Sequence, residues 1–208
     1  MQPELASTLS TTHALKEWAV AIEALRDGES VLTLRKGGIR EDAREFRMEH
    51  KRFVLFPTYE HQNHEQLRDE FAERLDLTLR SAPEQGYTRL NTWAVVSDVL
   101  EVTHEEQVQA LSRFAVFSPA YAIERLKWRP RKPLHILVLR VFLLDPPVTL
   151  PIVASYGGCR SWIELAQDIA LSDTRPALAD VAFQERRTSV LQSLRNVTPT
   201  GALSVVGL

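Results

Sequence analysis

Cysteine is nearly absent from this sequence: Cys159 is the one cysteine in 208 residues. A lone cysteine excludes a disulfide within the chain and a zinc site built on cysteine pairs. A reducing, cytoplasmic setting is therefore expected. Residues 1–12 lack a basic segment followed by an apolar segment, so no signal peptide is predicted.

Long apolar runs and a strong net charge are also missing. The longest apolar run, Leu134 to Leu144, contains His135 and Arg140, so it is too short and too charged to span a bilayer. It predicts a buried strand, and no membrane partner is expected. The formal net charge is -2, so the chain has no overall positive field to attract nucleic acid. Any nucleic-acid binding must come from a local basic patch.

The composition is that of an ordinary globular protein, with 44% hydrophobic and 25% charged residues. We expect a flexible N-terminus over 1–12, a single domain over 13–196 and a loose tail over 197–208. Residues 78–90 are polar and contain Pro83 and Gly86, which favours an internal linker or a long loop. No internal repeat or low-complexity tract is present.

Periodicity and composition predict a mixture of helices and strands. Helical spacing of apolar residues predicts helices over 13–26, 161–169 and 180–195. Strand composition is found at 31–35, 53–56, 93–102 and 134–144. The two kinds of element do not alternate in a steady βαβ pattern. This favours an α+β fold with a central, mostly antiparallel sheet flanked by helices.

The first candidate site is the predicted hairpin of residues 35–52. Its basic residues are Arg35, Lys36, Arg40, Arg44, Arg47, Lys51 and Arg52. One interpretation is phosphate binding, with Gly37 and Gly38 allowing backbone N–H groups to approach an anion. The alternative is a solvated hairpin with cross-strand ion pairs, since it also carries the acids Glu41, Asp42, Glu45 and Glu49. It is not a P-loop, because no Gly-Lys-Ser/Thr ending is present.

The second candidate is the loop that contains Tyr59, Glu60, His61 and Gln62. A loop between a strand and the next helix is a common place for a site. Glu60 and His61 could act as an acid–base pair, and Tyr59 could stack on a base. The alternative is that Tyr59 packs and its neighbours only cap the following helix. His61 and His64 have no third ligand at useful spacing, so neither a metal nor a cofactor is predicted.

The third candidate is the basic segment 125–132. Five basic residues surround Trp128 there: Arg125, Lys127, Arg129, Arg131 and Lys132. Arginine and lysine bind phosphates, while tryptophan can stack on a base. The alternative is a basic helix C-terminus, where cations offset the helix dipole, with Trp128 in the core.

Two further patterns receive less weight. Cys159 follows Gly157 and Gly158 and precedes a predicted helix. A helix N-terminus lowers the pKa of a thiol, so Cys159 could act as a nucleophile. The favoured interpretation is a small buried thiol in a tight turn. Asp42, Glu49 and Lys51 resemble the Asp…Glu-x-Lys arrangement of magnesium-dependent nucleases. That arrangement requires carboxylates from neighbouring elements that converge on the metal. Asp42 and Glu49 are only seven residues apart near a turn, which does not favour such convergence.

Four segments together resemble the bacterial domain-of-unknown-function family 1802, over roughly residues 13–187. They are Leu15–Trp18, Leu34–Glu41, Phe56–Gln62 and Tyr156–Trp162. Some family members are associated with Mrr-type restriction endonuclease modules. The resemblance therefore implies a role near restriction or defence, with a restriction or defence protein as a partner. These 208 residues are not expected to include that nuclease module.

A second resemblance concerns residues 28–35 and 93–102, which are similar to barrel strands of the pseudouridine-synthase-associated (PUA-like) superfamily. That similarity implies a barrel-like sheet and contact with RNA. The hypothesis from the whole sequence is a nucleic-acid-binding protein, with DNA or RNA as partner. An enzyme acting on a phosphate-bearing or nucleotide substrate, and a protein-interaction subunit, are the alternatives. The expected phosphate contacts are Arg35, Lys36, Arg40, Lys127 and Arg129; the expected base contacts are Tyr59, His61, Gln62 and Trp128.

Overall fold

A computed structural model describes residues 9–36, 50–128, 130–158, 160–172 and 174–198. The fold is α+β, as predicted, with one mixed sheet and helices packed against it. The described strands are β1 Ser10–Trp18, β2 Leu32–Lys36, β3 Arg52–Thr58, β4 Tyr87–Val102, β5 Leu134–Pro151, β6 Trp162–Ala170 and β7 Arg175–Pro176.

The sheet is mostly antiparallel, which confirms the sequence prediction. Its order is β2-β5-β4-β3-β1-β6, with β7 paired to β5. Among the described strand pairs, β1 with β3 is parallel and the others are antiparallel. Over the described residues the sheet is not closed into a barrel, because β2 and β6 lie at its two ends.

Five helices are described: α1 Ala19–Arg26, α2 Asp69–Arg80, α3 Glu105–Ser112, α4 Pro119–Lys127 and α5 Asp180–Val197. Short 3-10 turns occupy His64–Gln66 and Ala154–Tyr156. Helix α4 begins at a serine–proline pair: the Ser118 hydroxyl caps it by accepting a hydrogen bond from the Tyr121 N–H, and Pro119 occupies the first turn. None of the helices in the described ranges is long and apolar enough to cross a bilayer.

Two helix predictions were wrong at strands β1 and β6. Residues 10–18 form β1, and the helix begins only at Ala19. Residues 162–170 form β6, in which Ile163 and Leu165 are buried and Glu164 between them is exposed. The two strands pair with each other, Ala14 opposite Ile163. Pairing between segments about 150 residues apart therefore overrides the local helical spacing.

The core lies on both faces of the sheet, and β5 shows how. Ile136 and Val138 pack in one cluster with residues of α3, α4 and α5, whereas Leu137 and Leu139 pack in another with residues of α1. Successive side chains of a strand point to opposite faces, so a strand covered on both faces is apolar throughout. That explains the apolar run from Leu134 to Leu144.

Gly28 ends helix α1 in a conformation that requires glycine. Its φ is 72°, and a Cβ placed there would lie 2.5 Å from the Leu178 Cδ2 atom. Gly28→Ala should therefore lower the free energy of unfolding by about 2 kcal/mol, from the left-handed backbone and the clash together. Gly86→Ala is the matched control, because Gly86 has φ 87° with open space around it, and should cost about 1 kcal/mol. Equal losses in urea unfolding would contradict the packing argument.

Candidate functional site

A cavity of about 570 Å³ opens where the ends of β1, β2 and β3 meet helix α4. Its walls also include the turn after β3 and the segment 156–161. That volume lies within the range of protein sites that hold small organic ligands.

The first wall contains a buried ion pair between Glu17 and Arg35. The Arg35 Nη2 atom lies 3.0 Å from the Glu17 Oε2 atom, and Glu17 is only 5% exposed. The Glu17 carboxylate also accepts hydrogen bonds from the Trp18 N–H at 2.8 Å and from the Thr33 hydroxyl. The donors around this buried carboxylate fix its position, and the carboxylate in turn holds Arg35 in place.

Arg35 is held by backbone acceptors as well as by Glu17. Its Nη1 donates to the Leu34 carbonyl and its Nη2 to the Lys16 carbonyl, both at 3.0 Å. Its buried Nε has no hydrogen-bond acceptor among the described residues. The guanidinium is therefore a rigid group in the cavity wall, and Glu17 compensates most of its charge.

Aromatic rings from two separate core clusters line the cavity. Trp18, Phe117 and Tyr121 contact one another with ring centroids 5.1 to 5.9 Å apart. Phe56 and Tyr156 form an edge-to-face pair at 5.7 Å. The cavity thus offers flat apolar surfaces to a ligand from more than one direction.

Tyr59 and Tyr121 keep their phenol protons at neutral pH. Burial raises the pKa of Tyr59, and burial also raises the pKa of Tyr121. Both hydroxyls can therefore donate a hydrogen bond to a ligand. The Tyr156 hydroxyl instead accepts one from the Ala166 N–H at 2.8 Å, which fixes that ring against β6.

Lys16 connects the glycine-containing segment to the end of β1. Its Nζ atom donates to the Gly158 carbonyl at 3.1 Å, and its backbone N–H donates to the Ser161 carbonyl at 2.8 Å. Arg125 from α4 and Arg160 also line the cavity. Basic side chains outnumber acidic ones there, because besides Glu17 the acid in the lining is Glu60. The cavity therefore suits an anionic ligand.

The turn after β3 forms the rim. The Gln62 Nε2 atom closes it by donating to the Thr58 carbonyl at 2.7 Å, and His61 adopts a left-handed φ of 61°. Tyr59, Glu60 and His61 line the cavity, and the latter two are exposed. The Asn63 side chain accepts a hydrogen bond from the Glu65 N–H and so caps the 3-10 turn at His64–Gln66 rather than α2.

Other predicted contacts lie beside the cavity rather than in its lining. The Lys36 ammonium donates to the Leu126 and Lys132 carbonyls, both at 2.6 Å. Lys127 forms an exposed ion pair with Glu105 at 2.8 Å. Trp128 is 46% exposed. Gly37, Gly38, Arg40, Arg129, Asp42, Glu49 and Cys159 lie outside the described residues.

All four segments that carry the family resemblance contribute to this cavity. Their described members in its lining are Lys16 to Trp18, Leu34 and Arg35, Phe56 to His61, and Tyr156 to Gly158 with Arg160 and Ser161. Sequence reasoning assigned no role to Glu17, Tyr121 or Tyr156. The sequence feature that could have indicated Glu17 and Tyr156 is their position in those segments. Tyr121 lies in none of the four segments, so no sequence feature indicated it.

Comparisons with known proteins agree with this resemblance. A family model described as a domain of unknown function, DUF1802, matches residues 14–189. The chain is also similar to a solved structure of a mutant ZmASCH protein from Zymomonas mobilis. The identity is 11%, the match covers 89% of this chain and 97% of that one, and the TM-score of 0.38 is too low to support an argument. No curated protein matches the sequence.

Proposed function

This chain belongs to the DUF1802 family, and we propose that it binds nucleic acid by taking one nucleotide into the cavity. The observation that carries the proposal is the meeting of aromatic rings and cationic groups in one space of about 570 Å³. Aromatic rings bind the face of a base, and lysine or arginine binds its phosphate. The excess of basic over acidic side chains in the lining favours an anionic ligand over an uncharged apolar one.

Within this proposal the cavity residues have distinct roles. Tyr59 and Tyr121 offer a ring and a protonated hydroxyl to the base. Lys16, Arg125 and Arg160 contact phosphate. Arg35 contributes a fixed donor in the wall, with Glu17 holding its position. The predicted roles of Lys36, Gln62 and Lys127 remain predictions, and their side chains make the protein contacts described above.

Fluorescence anisotropy with labelled ten-nucleotide DNA and RNA, single- and double-stranded, tests the proposal. We expect saturable binding at low salt, with log affinity falling against log salt at a slope of about -0.7 for each contacted phosphate of a single strand. Arg160→Ala should weaken binding about tenfold, since it removes one charged phosphate contact. The DNA arm also addresses the role near restriction that the resemblance implies.

Arg80→Ala is the matched control for Arg160→Ala. Arg80 is an exposed arginine at the end of α2, outside the cavity lining, so its loss changes the net charge equally. It should change the affinity by less than about twofold. Equal weakening by the two variants, or no binding to any of the four nucleic acids, would refute the proposal.

An enzyme acting on a nucleotide is the second candidate, because Glu60, His61 and Arg35 line the same cavity. Glu60 and His61 are exposed at the rim, however, where the protein does not shield a reaction from water. The geometry thus favours binding. Cleavage of the labelled strands that is lost in His61→Ala would favour the enzyme instead.

A further inference from the structure

Trp128 differs from the other aromatic rings that contact an arginine in the described chain. It is 46% exposed, with the Arg125 guanidinium carbon 5.1 Å from its ring centroid. Phe71 and Phe183, which also contact arginines, are each 4% exposed. Those two rings belong to the core, whereas Trp128 presents a large part of its ring at the surface.

Arg125 connects this ring to the cavity. It lies three residues before Trp128, so the two occupy neighbouring positions at the end of α4. The same arginine lines the cavity beside Tyr121. A chain of nucleotides that leaves the cavity over Arg125 therefore reaches Trp128 directly.

The electrostatics beside Arg125 favour an anion at that point. Lys36 is held nearby by the Leu126 and Lys132 carbonyls, which occupy two of the three donors of its ammonium. Burial lowers the pKa of Lys36, and the charge of Arg125 lowers it further. A phosphate between them would offset the repulsion of these two cations. Lys127, by contrast, is paired with Glu105.

We infer that the ligand is a single-stranded polynucleotide that passes from the cavity over Arg125 to Trp128. One base enters the cavity, a neighbouring base stacks on Trp128, and Arg125 contacts the phosphate between them. This inference rests on the proposed function. Two base faces must be accessible at once, which a duplex does not provide because its bases stack on each other.

Calorimetric titration with a nucleoside monophosphate and with two-, four- and eight-nucleotide strands, RNA and DNA, tests the inference. For the unaltered protein, affinity should rise about tenfold from the monophosphate to the short strands, because a second base gains a stacking partner. Trp128→Ala should abolish that gain and leave the monophosphate affinity unchanged. Trp128→Phe should retain part of the gain.

Leu77→Ala is the control, because Leu77 is a 64% exposed apolar residue on α2 outside the cavity lining. It should retain the full gain. The inference is overturned if Trp128→Ala keeps the gain, if it weakens the monophosphate equally, or if a duplex binds as tightly as the strand. Absence of binding at every length would overturn both this inference and the proposed function, whereas monophosphate binding with no length dependence would overturn this inference alone.

Discussion

Replacement of Glu17 by alanine is expected to lower the free energy of unfolding by about 3–5 kcal/mol. The substitution leaves the Arg35 guanidinium in the cavity wall without its carboxylate partner. It also removes the acceptor for the Thr33 hydroxyl, which is buried. Urea unfolding of the purified variant, with the slope compared to confirm two-state behaviour, measures the loss.

A double variant separates the unpaired charge from the lost contacts. Arg35→Met together with Glu17→Leu removes both charges and should be more stable than Glu17→Ala alone, since no buried charge is left without a partner. Glu60→Ala is the control: it removes an exposed acid from the same cavity and should change stability by less than about 0.5 kcal/mol. If Glu17→Ala costs no more than Glu60→Ala, the ion pair does not hold this wall.

The second large expected effect is that His135 lowers the stability of the protein as the pH falls from 6.5 to 4. His135 is 3% exposed on β5, opposite Arg35 of β2 and Glu101 of β4. Burial, and then the charge of Lys36, lower its pKa from 6.5 to about 4. The Glu101 Oε1 atom, an acidic group on the neighbouring strand, lies 3.5 Å from the His135 Nε2 atom.

Stability falls with falling pH because the unfolded chain binds the proton on His135 at a higher pH than the folded protein does. The unfolded chain protonates His135 below about pH 6.5, whereas the folded protein keeps it neutral until about pH 4. The stabilisation is therefore fully present above pH 6.5 and is lost as the pH falls to 4, by about 3 kcal/mol. Urea unfolding at several pH values should show this loss.

His135→Leu provides the comparison, because carboxylates elsewhere titrate in both proteins. The difference in unfolding free energy between the two proteins should narrow, or reverse, as the pH falls through this window. Parallel pH dependences would show that His135 does not bind a proton on unfolding in this range.

Local patterns in the sequence predicted those elements whose signals are local. The apolar spacing of residues 180–195 predicted α5, and the apolar run from Leu134 predicted β5. Strands β1 and β6 were assigned as helices because Leu15, Trp18, Trp162 and Leu165 also match a helical period. Their strand conformation comes from pairing with partners that are distant in the sequence.

In the candidate site, too, the sequence indicated residue types but not long-range contacts. The sequence identified Arg35, Tyr59, Glu60 and His61 as candidates, and the structure brings them to one cavity. It could not indicate that the Lys36 ammonium is held by carbonyls 90 and 96 residues away. Every residue has a backbone carbonyl, so the sequence does not indicate which carbonyls accept these hydrogen bonds. Only the structure identifies them.

The parallel alignment of β1 with β3 has a consequence for ligand entry. Lys16, Glu17 and Trp18 are paired with Phe56, Pro57 and Thr58 across two adjoining strands, and α1 follows Trp18 with no intervening loop. This side of the cavity is therefore held in place by the sheet itself. Ligand binding therefore costs little conformational entropy on this side. The main entropy cost is the ordering of the exposed rim side chains and of the ligand.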